Sequence, residues 1–557
     1  MTRRMFFLLL SSVTLWLALY SLADDAKPNP DSAELAVADQ LYKSGNFAEA
    51  ADKYQAIVKA NPTLVAAQAG LIRSLLREQK VDDAFAAANS ALAVQPNSAP
   101  VLSAMGDVDF RRAQMPEAET SYRKALKVDP KLVRAYLGLA RLYHAFSLYR
   151  HAYDELQHAH EIAPDDPEVQ RMWFGQLSRR ERIAAIEAYL AKPHPDNAEE
   201  TDNWQRYLDF LKATVDKPVH ACRLVSKVEQ TDTKLEAMRT DPRHIFGYGL
   251  IVKINGRDQR LQLDTGASGI VIGPKAAEKA GLTRIAEERY TGIGDKGVQS
   301  GYSALATQIR VGDLEFEDCI VHVADRATMN SEDGLVGANV FSSYLIDIDI
   351  PDQKLRLSTL PQRPDEAPAP ATLKTEEEPQ NNPEEKPENA VDPKAEQPNG
   401  DKPAVAAPRR LPKDRYVAPE MARWTPVFRF GHALLIPTHV NDSPSMLFLI
   451  DTGAGRNTLS KRAASQVTKI SSDPNMHVKG LSGNVSNVYL AEKADLVFGH
   501  LAQKNQEMVT FDLSGISRRL GTEVSGVLGF DTLHMLQVKI DYRDGLVDFG
   551  YDPSRWH

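Results

Sequence analysis

Cysteine is almost missing from this chain: Cys222 and Cys319 are the two among 557 residues. So few exclude a disulfide-stapled scaffold and a multi-cysteine zinc site. Whether the two bond to each other or stay as separate buried thiols is open at this stage, because a sequence does not give their Cα separation. Positive charge is not in surplus either. At a formal net charge of −9 the whole chain has no nucleic-acid footprint. The 14 histidines show no metal-ligand spacing, so no metal and no other cofactor is expected. Beyond residue 20 no apolar run is long enough to span a bilayer, which excludes a polytopic membrane protein. Aromatic residues nearly vanish between 359 and about 420. Of the 33 prolines, 13 fall there, from Pro361 to Pro419. A stretch so rich in Pro, Glu, Lys, Ala and Asn cannot bury enough apolar surface to fold, and residues 359–420 read as a disordered linker. Elsewhere the composition, 43% apolar and 25% charged, is that of globular domains.

What is present begins with the order of an export signal. Arg3 and Arg4 precede an apolar run from Met5 to Tyr20, and Ser21-Leu22-Ala23 supplies small residues before Asp24-Asp25. Residues 1–23 are expected to be a signal peptide, with no stable membrane insertion after its removal. The expected destination is the periplasm or the medium of a bacterial cell, an oxidising compartment.

The next segment repeats itself. Pro62, Pro96, Pro130 and Pro164 recur at 34 residues, and Ala50, Ala84, Ala118 and Ala152 recur at the same period. Four residues after each alanine stands Tyr54, Ala88, Tyr122 or Leu156. Small residues let paired helices approach, larger ones fill the space between repeats, and proline ends the second helix of each pair. Gly45 marks a turn between helices and Gly106 a close-packed face. This pattern resembles the tetratricopeptide repeat, and with a capping helix over 171–191 it predicts a helical array over 34–192. The resemblance implies a concave surface that takes a protein partner.

After Cys222 the period changes. Gly249–Ile254 reads as a strand, Asn255-Gly256 as a tight hairpin turn, and Arg257–Leu263 as the returning strand. That strand runs into Asp264-Thr265-Gly266-Ala267. The order recurs: Ala433–Val440, a turn at Asn441–Pro444, then Met446–Ile450 into Asp451-Thr452-Gly453-Ala454. Downstream, Gly334-Leu335-Val336-Gly337 matches Gly526-Val527-Leu528-Gly529, and Ile348-Asp349 matches Ile540-Asp541 in a closing hairpin. Glycine-punctuated stretches lie between these blocks, Thr291-Gly292-Ile293-Gly294 in one copy and Lys479-Gly480-Leu481-Ser482-Gly483 in the other.

The doubled pattern resembles the aspartic peptidases, in particular the small retroviral-type (retropepsin-like) lobe. The expected architecture is an all-α tetratricopeptide solenoid, then two all-β lobes over 221–358 and 421–557 that pair within one chain. The resemblance makes Asp264 and Asp451 the catalytic pair. It implies that Thr265 and Thr452 bond across to the opposite loop, and that Gly266 and Gly453 bring backbone N–H groups to the carboxylates. Gly337 and Gly529 would close the loops behind the pair. Gly292, Gly294, Gly480 and Gly483 would belong to flaps over a polypeptide substrate. Two carboxylates at hydrogen-bond distance share a proton, so one serves as base toward water and the other as acid toward the scissile carbonyl.

Lobe 2 departs from lobe 1 in having Gly455-Arg456 where lobe 1 has Ser268-Gly269. An arginine at the pair would favour ionisation of both carboxylates. The expected function is therefore an exported aspartic endopeptidase with a protein-binding repeat domain. Its rivals are a peptide-binding scaffold that kept the fold without the activity, and an assembly factor that uses the lobes only to dimerise.

Overall fold

The computed structural model describes residues 30–215, 222–290, 299–324, 334–366, 411–472, 478–480, 483–504 and 507–555. The expected signal peptide and most of the expected linker lie outside these residues. Two compact units make up the chain, residues 1–96 and 97–557.

In the first unit helices Pro30–Lys43, Phe47–Ala60, Val65–Arg77 and Val81–Val94 pack as hairpins. Ala50 and Ala84 are fully buried, and the Tyr54 ring lies where a Cβ on Gly70 would be, 2.5 Å away. In the second unit Ala99–Arg111, Met115–Val128, Val133–Ala145 and Tyr149–Ile162 repeat the design. The Tyr122 ring sits between Gly106 and Gly138, so close that a Cβ on either would overlap it. Gly70 and Gly138 are two periods apart, as are Tyr54 and Tyr122, so the aromatic-on-glycine contact is itself part of the repeat. The turn is periodic too. Gly45, Gln79, Ala113 and Ser147 all have positive φ, although only the first is a glycine.

Three more helices follow, Pro167–Trp173, Arg179–Leu190 and Ala198–Ala213. The last lies beyond the expected end of the array at residue 192. Its apolar residues Leu208 and Leu211 join Ile186 and Tyr189 in one cluster, and Asn197 caps it in a capping box with Glu200.

The first β unit is a nine-stranded sheet. Its order is Arg223–Leu224, Leu314–Ala324, Ile270–Ile272, Gly334–Gly337, Arg257–Asp264, His244–Ile254, Gln299–Val311, Thr283–Tyr290; the ninth strand, Glu236–Asp241, pairs with His244–Ile254, and Leu314–Ala324 also pairs with Gln299–Val311. Asn255 and Gly256 both have positive φ in the expected hairpin turn. Cys222 and Cys319 are bonded, with Cα atoms 4.1 Å apart, tying the entry segment to strand Leu314–Ala324. The second β unit is a ten-stranded sheet in which Gly526–Leu528 lies between Thr458–Ser460 and Met446–Ile450.

The closing hairpins of the two units do not stay apart. Strand Tyr344–Asp349 pairs antiparallel with Gln537–Asp541, Ile346 opposite Ile540 and Ile348 opposite Val538. One six-stranded sheet results, and its apolar face belongs to a single core with both lobes.

The expected disordered linker over 359–420 is too long at both ends. Thr359 ends a strand, Arg363 is buried, and Ala418 and Met421 pack on Leu546. A buried arginine needs a partner, and Arg363 has one in Asp544, which is itself fully buried. Among the described residues no helix is long and apolar enough to cross a membrane.

Candidate active site

Each aspartate stands at the end of the returning strand of its hairpin, and each strand runs parallel to the short strand of the downstream block. Gly337 is opposite Asp264, and the Asp451 N–H donates to the Leu528 carbonyl at 3.0 Å. Two asparagines tie the loops. Asn339 Oδ1 accepts from the Gly269 N–H at 3.0 Å, and Asn457 Oδ1 accepts from the Gly529 N–H at 2.9 Å. They occupy different positions in the two copies, so matching the copies by offset could not find them.

The threonines join the loops across the lobes. Thr265 N–H donates to Thr452 Oγ1 at 3.1 Å, and Thr452 N–H donates to Thr265 Oγ1 at 3.0 Å. Each hydroxyl then donates across to a carbonyl at 2.8 Å, Thr265 to Ile450 and Thr452 to Leu263. Both threonines are buried. Four such bonds, at about 1 kcal/mol each, fix the two loops at one separation.

That separation puts Asp264 and Asp451 face to face. Their side chains hydrogen-bond to each other. Gly266 N–H donates to Asp264 Oδ1 at 2.8 Å, and Asp451 Oδ1 accepts from Gly453 and Ala454 at 2.8 and 3.0 Å. The glycines matter for a second reason. A Cβ on Gly266 would lie 2.6 Å from the Asp451 carboxyl carbon, and one on Gly453 would overlap Asp264 Oδ2. Only a residue without a side chain lets each loop approach the opposite carboxylate.

Burial pushes both carboxyls above the usual range, and for Asp264 the Asp451 charge adds to it. Two carboxylates this close and this dry retain one proton, which belongs to the pair rather than to either residue. Arg456 is exposed; burial pushes the Asp531 carboxyl up, and the Arg456 charge works against that shift. Gly337 and Gly529 each lie too close to a carbonyl of the neighbouring loop, that of Ala267 or Arg456, for any side chain. Gly480 and Gly483 pair at the end of a small hairpin, Val478–Gly480 with Gly483–Val485. Gly292 and Gly294 lie outside the described residues. Among the described residues no group of three His, Cys, Asp or Glu side chains is placed to hold a metal ion.

Residues 250–340 and 436–532 each match the family model described as aspartyl protease. Two curated relatives are both DNA damage-inducible protein 1. The protein of Chaetomium globosum is 26% identical over 38% of this chain, and that of Kluyveromyces lactis 27% identical over 27%. The chain spans 52% and 36% of their respective lengths. Two solved structures align as well. A thermophilic TPR protein of Thermus thermophilus aligns over 31% of this chain and 97% of its own, at 18% identity and a TM-score of 0.26. The aspartic proteinase of Irpex lacteus aligns over 59% of this chain and 98% of its own, at 10% identity and a TM-score of 0.33.

Proposed function

We propose that this chain, a helical repeat array followed by two aspartyl protease domains, is an exported endopeptidase that assembles its one catalytic pair from both lobes. The observation that carries the reading is the mutual hydrogen bond of Asp264 and Asp451 inside a buried frame of threonines and glycines. The ionised member of the pair takes a proton from water, which attacks the scissile carbonyl. The protonated member donates to the carbonyl oxygen, and the proton taken from water then reaches the leaving nitrogen as the C–N bond breaks. Polypeptide is the substrate class this chemistry serves, and the six-stranded sheet shared by the lobes supports pairing within one molecule. The Cys222–Cys319 bond supports an oxidising destination and so the export reading. The repeat array is read as the part that takes a protein partner.

The test is incubation of an unstructured protein with the wild type, Asp264→Asn and Asp451→Asn, followed by mass spectrometry of the products. Cleavage by the wild type and a loss of at least about a thousandfold in each folded variant is expected. A wild type that binds the polypeptide without cutting it would leave the scaffold reading in place.

A further inference from the structure

The array and lobe 2 are joined at a place that bears on Asp451. Helix Ala99–Arg111 ends with carbonyls that have no partner further along the helix, as every helix does. The lobe meets two of the last ones, and of these the Phe110 carbonyl also accepts from the Ala113 N–H of the turn at 3.1 Å. Thr522 Oγ1 donates to the Phe110 carbonyl at 2.7 Å, and the Glu523 N–H donates to the Arg111 carbonyl at 2.9 Å. Thr522 is almost fully buried. The Phe110 and Phe430 rings meet edge to face beside it, centroids 6.2 Å apart.

The segment that starts at Thr522 leads directly to the catalytic loop. Ser525 N–H donates to the Leu447 carbonyl at 2.8 Å, and Gly526–Leu528 then runs parallel to the strand that ends at Asp451. Leu528 accepts the Asp451 N–H. The links in this path are hydrogen bonds between backbone groups of fixed geometry, save that at the helix end the backbone bond of Glu523 is joined by one side-chain bond, from the Thr522 hydroxyl.

We infer that Thr522 is a positioning residue for the peptidase site, through which the end of an array helix sets the strand beside Asp451; this rests on the peptidase reading above. The array is then part of the catalytic scaffold as well as a surface for partners. A shift of about 1 Å in a reacting group costs up to about a hundredfold in rate, so a partial loosening of this strand is read in turnover.

The experiment measures kcat and KM on an unstructured polypeptide for the full-length wild type, Thr522→Val and Thr522→Ser, with amide exchange at Asp451 and Leu528. Thr522→Val is expected to lower kcat about tenfold with KM within twofold, and to speed exchange at both amides. Thr522→Ser, which keeps the donor, restores both. Asp414→Asn, which loosens the array–lobe contact without touching this segment, separates positioning from stability: its kcat is expected to stay at the wild-type value. A Thr522→Val protein with wild-type kcat and exchange overturns the inference, as does an equal loss in Asp414→Asn. Should Thr522→Val fail to fold, Thr522→Ala, which also removes the hydroxyl that meets the Phe110 carbonyl, must lower kcat in the same direction or the inference falls. A wild type that does not cut fails the peptidase reading instead, while faster exchange in Thr522→Val would still report the mechanical link.

Discussion

Asp414 holds the N–H of Arg150 at 2.9 Å although 264 residues separate them. The same oxygen accepts from the His151 N–H at 3.2 Å, and the other lies 2.6 Å from His151 Nδ1. Helix Tyr149–Ile162 has Leu148 at its N-cap, which offers no side-chain acceptor. Asp414 supplies the missing cap from the edge of lobe 2, and its negative charge faces the positive end of the helix. Asp414→Ala should therefore destabilise the second unit by about 1 kcal/mol. Thermal unfolding of the folded protein measures it, and an unchanged midpoint would show that water caps the helix equally well.

On the peptidase function proposed above, the Asp264–Asp451 pair should impose a limb at high pH. Burial raises both carboxyls, and the pair works only while it keeps one proton. As pH rises through the upper titration both ionise, and kcat/KM should fall about tenfold per unit beyond it. The optimum is expected below neutral. Arg456 is exposed and its charge acts on Asp531, so Arg456→Gln should leave the limb where it is. Rates that climb steadily to about pH 9 would point to a different mechanism.

A second buried acid predicts a stability change of the opposite sense to a salt bridge. Asp541 is fully buried, its Oδ2 has no hydrogen-bond partner, and burial with Asp544 nearby pushes it up to about 6. A raised carboxyl pKa means the native state binds the proton more tightly than the unfolded chain. Stability from this group is then fully present below the unfolded value near 3.8 and is lost as pH rises through about 6. Asp541→Asn keeps the Oδ1 that accepts the Asp544 N–H and cannot ionise. Denaturant unfolding should find it more stable than the wild type at about pH 7.5, by up to about 2–3 kcal/mol, with the advantage shrinking toward about pH 4. An advantage independent of pH would rule out ionisation as its cause.

The stretch 367–410 can be shortened. Both of its flanks are held at one place: Lys413 pairs with Asp365 and Glu366 at 3.0 and 3.1 Å, Arg363 meets Asp544, and Tyr416 N–H donates to Asp544 at 2.8 Å. Closure there does not depend on how much chain lies between. With 367–410 replaced by about eight Gly and Ser residues, roughly 15 Å on average, activity should stay within twofold. It should also be independent of dilution over a hundredfold range, measured alongside sedimentation. Loss of both dimer and activity on dilution would mean that lobes pair between molecules.

The readings that succeeded from sequence were those in which the residue type is the signal. The 34-residue spacing of Ala50, Ala84, Ala118 and Ala152 is a packing requirement written in residue size, and all four are buried. Asp-Thr-Gly-Ala, twice, marks the two stretches that match the family model described as aspartyl protease. The turn residues Gln79, Ala113 and Ser147 escaped because positive φ was imposed there by the packed helices against the residues' own preference. Asn339 and Asn457 escaped because a side-chain amide that caps a loop leaves no spacing rule.

The sequence by itself determined the order of the elements, the repeat, the doubled lobe and the place of Asp264 and Asp451 after matching strands, since these follow from local patterns of size, polarity and turn chemistry. Tertiary structure alone decided the rest. Ile346 opposite Ile540, Arg150 bonded to Asp414, and Thr522 bonded to Phe110 are contacts between residues far apart in the chain. Hydrogen bonds at such separations depend on where whole elements pack, and no local preference of either partner encodes that.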